Sequence, residues 1–239
     1  MIRSALLAVA LAATTVLAQA TPVTPGYTTF GNLAGATFGG TGIPTDPTAI
    51  STNGNVTIGL TAFGRYANPA LTNDGAGTFF ATPGANDGMD GGAHAIGTTW
   101  AFGYYINVGT SQLQDYQIDL FYDLDPAAGN ALADMGRIDL DTALIGGGAG
   151  GASLFQDSQN LNFAFFSTGV PGVVFAPLSA PFNPNAAGEY SLVLRVRDQA
   201  GVDIATSSIL VNVVPEPGSL ALTGVALLGL VGAARRRKA

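Results

Sequence analysis

Apolar and polar positions alternate most regularly around residue 190. Across Glu189–Asp198, Tyr190, Leu192, Leu194 and Val196 share one face of an extended chain, and Ser191, Val193, Arg195 and Arg197 share the other. Gln199-Ala200-Gly201 supplies a short turn. The run that follows, to Val213, is rich in Val, Ile, Thr and Ser and reads as the returning strand, which makes this the strongest hairpin signal in the chain. Shorter apolar runs bounded by turn residues predict strands over 56–60, 77–82, 100–108, 116–122, 136–141 and 161–167. Helical competitors are few: the Ala-rich stretch 126–134 can form one turn, and 146–151 is almost wholly glycine, a flexible connection or a tight turn. Many short strands without amphipathic helices predict an all-β fold, an antiparallel β-sandwich over 56–213. The segment 21–55 carries Pro22, Pro25, Pro44 and Pro47, and is expected to be loop-rich and the least ordered part of the body.

The pattern changes at both ends. Arg3 precedes an apolar stretch from Ala5 to Leu17, and Ala18-Gln19-Ala20 fits the small-x-small cleavage rule. Residues 1–20 therefore read as a secretory signal peptide cut after Ala20. Residues 214–239 form a second unit. Pro215-Glu216-Pro217 is followed by an uncharged run from Gly218 to Ala234, then by Arg235, Arg236, Arg237 and Lys238. That run is at the lower limit for a transmembrane helix, about 17 residues. The basic cluster would stay on the cytoplasmic side and leave the body outside the inner membrane.

Composition sharpens this reading. The 239 residues suggest one domain and include no cysteine, so neither a disulfide framework nor a thiolate zinc site is available. The formal net charge is −7, but the basic residues concentrate at the two ends. The body between them keeps four arginines, no lysine and fifteen acidic residues, a net of −11. A nucleic-acid partner is excluded on that ground, because neutralising phosphates needs a basic surface.

The tail resembles the PEP-CTERM sorting signal of Gram-negative bacteria in three elements: Pro215-Glu216-Pro217, the short apolar run, and the closing arginines, in that order. The resemblance implies recognition by an exosortase, a membrane-embedded cysteine transpeptidase that removes the tail near the motif, in species that make exopolysaccharide and form biofilm. Two prolines hold the segment extended, where a peptidase can read its backbone. In the body, Thr99–Asn107, Asp119–Pro126 and Ala187–Leu192 look like a recurrent type of PEP-CTERM ectodomain, which brings no catalytic residues with it. The hairpin at 189–213 is similar to the closing hairpin of an immunoglobulin-like or fibronectin-like sandwich, without a Cys-Trp-Cys signature.

Candidate chemistry centres on acidic residues. Asp119, Asp123, Asp125, Asn130, Asp134, Asp139 and Asp141 fall within 23 residues. Asp123 and Asp125 have Asp-x-Asp spacing, and Asn130 or Asp134 could fold back to complete an oxygen-rich calcium site. No Gly stands at the sixth or Glu at the twelfth position of an EF-hand loop, and the alternative is a set of solvated turn aspartates, with Asp125-Pro126 opening a turn. His94, the only histidine, lies beside Gly91-Gly92. A triad would need it with Ser111 or Ser153, and neither serine sits in a Gly-x-Ser-x-Gly elbow. Trp100, Phe102 and Tyr104 would share one face of a strand, either as core or as a sugar-stacking platform. The glycine-rich segments at 39–42 and 146–151 lack the Gly-Lys-Ser/Thr ending of a phosphate loop.

These readings converge on an exported protein with no cofactor and no enzymatic activity. It would pass through an inner-membrane-anchored stage to the cell surface or extracellular matrix. Its role would be structural or adhesive, in contact with exopolysaccharide. A secreted carbohydrate-binding module and a secreted hydrolase using paired carboxylates are the competing expectations.

Overall fold

The computed structural model describes residues 21–86 and 97–215. The signal peptide expected over residues 1–20, with Ala18 and Ala20, lies outside the described residues, as do His94, Glu216, Pro217 and the basic cluster Arg235–Lys238. Two sheets face each other. The first has five strands in the order β1-β2-β3-β8-β11: β1 Thr29–Gly31, β2 Thr48–Asn53, β3 Val56–Gly64, β8 Trp100–Asn107 and β11 Leu154–Gln159. The second has seven in the order β12-β10-β9-β13-β14-β5-β4: β4 Thr72–Asn73, β5 Thr78–Ala81, β9 Gln117–Tyr122, β10 Gly136–Asp139, β12 Val174–Phe175, β13 Gly188–Arg197 and β14 Asp203–Val213. A small ribbon of β6 Ala85–Asn86 and β7 Gly97–Thr98 stands apart. Two short helices, α1 Leu140–Gly146 and α2 Ala164–Thr168, complete the body.

Alternation builds the core. Tyr190, Leu192, Leu194 and Val196 of β13 all point inward, against Ile58, Leu60, Trp100, Phe102 and Ile106 of the facing sheet. Burying one large apolar side chain contributes about 1.5–3 kcal/mol, so this shared layer is the main source of stability. The 189–213 hairpin forms as expected, with Leu192 registered on Ile209. The Asp198 carboxylate holds its turn by accepting from the Ala200 and Val202 amides, both at 2.9 Å.

The all-β sandwich stands, and four details differ from the expected arrangement. First, β5 runs parallel to β14 in a sheet expected to be wholly antiparallel, and twelve strands in sheets of five and seven exceed the seven of a simple immunoglobulin domain. Second, the strand expected over 161–167 is replaced by α2. The Asn160 carboxamide oxygen accepts from the Asn162 amide at 3.1 Å and its carbonyl from Phe163 at 2.9 Å, which turns the chain out of extension. Third, β10 stops at Asp139 because that side chain caps α1, accepting from the Thr142 amide at 3.0 Å.

Fourth, 21–55 is part of the folded body. It supplies β1 and β2, so the sandwich begins before residue 56, and it covers the outer face of the five-stranded sheet. There Leu33, Ala36, Phe38 and Ile43 form a second apolar cluster with Phe63, Ala101 and Tyr105. Gly103 makes this possible: a Cβ on it would lie 2.8 Å from Phe38 Cγ, so only glycine lets the ring lie against the strand. The Gln156 side-chain oxygen anchors the same lid by accepting from the Thr37 and Phe38 amides at 2.7 and 2.9 Å.

Candidate functional site

The chain leaves the sandwich from the middle of a sheet. β14 is bonded to β13 on one side and to β5 on the other up to Val213, which is buried. The Val214 amide still donates to the Ala81 carbonyl at 2.9 Å, while the Val214 and Pro215 side chains are exposed. Pro215-Glu216-Pro217 therefore starts where the hydrogen-bonded strand stops. A proline there has no N–H to offer the sheet, so β14 cannot be extended.

A cleft of about 540 Å³ opens at the same end of the sandwich, and Asp123, Asp125, Asn130 and Asp134 all line it. The fold thus brings the four expected calcium ligands to one place, but not as a cage. Asp123 is buried; one of its oxygens accepts from the Asp125 amide at 2.9 Å and the other from Asn130 Nδ2 at 2.8 Å. Asn130 Nδ2 also donates to the carbonyls of Asp125 and Ala127, so this side chain ties the turn together. Asp125 accepts from the Ala127 amide at 3.0 Å, and Asp134 is exposed at the end of a single helical turn. Burial pushes the Asp123 carboxyl above the usual carboxylate range, and the bonds from Asn130 and Asp125 oppose that shift without cancelling it. Among the described residues no group of three or more His, Cys, Asp or Glu is placed to hold a metal ion. The geometry favours the turn-aspartate reading.

A filled calcium site at a hundredfold its dissociation constant would stabilise the fold by about 2.7 kcal/mol, or roughly 5–10 °C in a body of this size. The melting temperature is instead expected to be the same in calcium and in chelator. A rise of several degrees in calcium would restore the ligand reading.

The remaining candidates separate. Trp100, Phe102 and Tyr104 are buried between the sheets, and Tyr105 lies under the lid, so this strand presents no platform for sugar rings. Ser111 and Ser153 lie in adjoining turns that meet at Val108, at the end of the sandwich opposite the cleft.

One cluster was not foreseen. Asp119, 2% exposed on the outer face of the seven-stranded sheet, pairs with three of the body's four arginines. Its Oδ1 lies 2.8 Å from Arg137; its Oδ2 lies 3.2 Å from Arg195 and 2.7 Å from Arg197. Arg137 stacks over Phe175 at 4.5 Å and Arg195 over Phe121 at 4.8 Å. Asp139 at 3.9 Å and Asp203 at 4.0 Å balance the charge, so the cluster ties β9, β10 and β13 together and presents no excess positive field. The only sequence signal was the placement of Arg195 and Arg197 on the outer face of an alternating strand.

The all-β body passes directly into the segment that begins Pro215-Glu216-Pro217. Residues 213–238 match the family model described as the PEP-CTERM protein-sorting motif, and the chain is thus a PEP-CTERM domain-containing protein. The match covers the tail and leaves the body unassigned. No curated protein and no solved structure matches the chain. The motif implies passage through the membrane and processing by an exosortase-type, membrane-associated partner. Among the described residues no helix is long and apolar enough to cross a membrane, and the span expected over 218–234 lies outside them.

Proposed function

We propose that this protein is a non-enzymatic component of the cell surface or extracellular matrix, held in the inner membrane by its tail until an exosortase removes that tail near Pro217. The observation that carries this reading is the position of the matched motif. The match begins at Val213, the last residue of β14 paired on both sides, so Pro215-Glu216-Pro217 follows directly on the end of the hydrogen-bonded body. The body fits a structural or adhesive role: two sheets around one shared apolar core, with the outer face of the five-stranded sheet covered by 21–55. Contact with exopolysaccharide belongs to the same reading. With Trp100 and Tyr104 buried, such contact would use polar surface instead of stacked rings.

The test is to express the full chain in a host with an exosortase and in the same host without it, and to define both termini by mass spectrometry. The expected product starts at Thr21 and ends near Pro217 only when the enzyme is present. If residues 220–239 persist in both strains, the tail is a plain anchor and the matrix reading falls with it.

A further inference from the structure

Both ends of the body leave the sandwich at the same rim. Pro22 bridges to Ala131, and the Val23 amide donates to the Asn130 carbonyl at 2.9 Å, which places Thr21 beside the loop that follows β9. At the other end of the chain, Val213 is registered on Gly188 of β13 and on Ala81 of β5. The Glu189 amide donates to the Pro126 carbonyl at 3.2 Å, joining the two exits through one short patch. The turns at 54–55, 109–112 and 198–202 lie at the opposite end.

The exit has no spacer. Pro215, Glu216 and Pro217 alone separate Val214 from Gly218, where the uncharged run begins. Four steps of extended chain reach about 14 Å at most. β14 cannot lend more length, because its last four residues are paired on both sides and Val211 and Val213 are buried. Unzipping them would break both ladders and expose core. An enzyme reading extended backbone at the motif must therefore work with its own surface against the rim.

We propose that the rim around the β14 exit, flanked by exposed Thr82 and Ala187, is a docking surface for the membrane-embedded peptidase that processes the tail. This rests on the sorting reading above. The neighbouring loop, residues 123–135, presents half-buried Asp125 and exposed Asp134 and no basic residue, so the complementary face of the partner is basic. Before the signal peptide is cut, the N-terminal exit tethers the same rim. The rim then faces the membrane and the opposite end of the sandwich is displayed.

The experiment uses the full chain co-expressed with an exosortase and follows tail loss by pulse-chase and mass spectrometry. The double variant Thr82→Arg/Ala187→Arg is expected to be processed about fivefold more slowly than wild type, as for lost interface contacts. A Gly/Ser spacer of about ten residues between Val214 and Pro215 should restore the wild-type rate to that variant, because it frees the motif from the rim. Gln199→Arg, at the opposite end, should process normally, and thermal melts of the secreted bodies should coincide. Wild-type processing of the double variant, or slowing that persists with the spacer, would overturn the docking proposal. Failure of the wild-type chain to be processed would instead overturn the sorting reading itself.

Discussion

Replacing Asp119 with alanine is expected to destabilise the body by about 2–4 kcal/mol. Removing one partner of a buried ion pair costs roughly 3–5 kcal/mol, because the remaining charge is left uncompensated. Here the three guanidinium groups keep 22–33% of their side-chain surface exposed, so water recovers part of that cost and the lower range applies. Without Asp119, Arg137, Arg195 and Arg197 face one another across three neighbouring strands, with only Asp139 and the exposed Asp203 nearby. A drop of about 5–15 °C in melting temperature should follow for a body of this size. Asp119→Asn keeps the shape and removes the charge, so it should recover little. Added salt should recover part of the loss by screening the three cations. If both variants melt within about 2 °C of wild type, the cluster is surface decoration and does not clamp the sheet.

Gly136→Ala is the second large effect, expected to cost about 3 kcal/mol or slightly more, the upper range for overpacking a core. Gly136 is registered directly on Tyr122, and a Cβ there would fall on the Tyr122 ring and within 2.7 Å of Pro177 Cδ. The ring has no room to retreat. Tyr122 is fully buried, its hydroxyl donates to the Phe166 carbonyl at 2.8 Å, and its ring packs T-shaped against Phe166 with centroids 4.6 Å apart. The same contact explains why α2 packs where it does. Combining Gly136→Ala with Tyr122→Leu should cost less than the sum of the two single changes, since the smaller side chain vacates the space the methyl needs. Denaturant melts of the four proteins would decide it, and strict additivity would show that the methyl is accommodated some other way.

Neither residue belongs to the exit rim, which separates stability from sorting. A chain weakened at Asp119 or Gly136 still carries its motif at residues 213–238. Changes at Thr82 and Ala187 leave the core untouched and act, if the docking proposal holds, on processing alone.

What the sequence determined by itself is whatever depends on neighbours along the chain. The period-two pattern of 189–197 specified β13 and its inward face, Gln199-Ala200-Gly201 specified the turn, and 215–217 with the apolar run and the closing arginines specified the sorting tail. Tertiary structure decided what depends on distant partners. β11 is largely polar and has no strand signature of its own; it is extended because β8 offers an open edge and because Gln156 is needed to anchor the lid. The proline-rich segment 21–55 looked loose because its apolar residues are scattered, yet Phe38 is buried against a glycine 65 positions away. Asp119 read as one of many aspartates until β10 and β13 brought three arginines to it. Asp123 and Asn130 read either as calcium ligands or as turn residues, and it is the fold that pairs them with each other. Local periodicity sets which face of a strand is apolar; which edges meet, and so which charges and chain ends become neighbours, is set by burying those faces together.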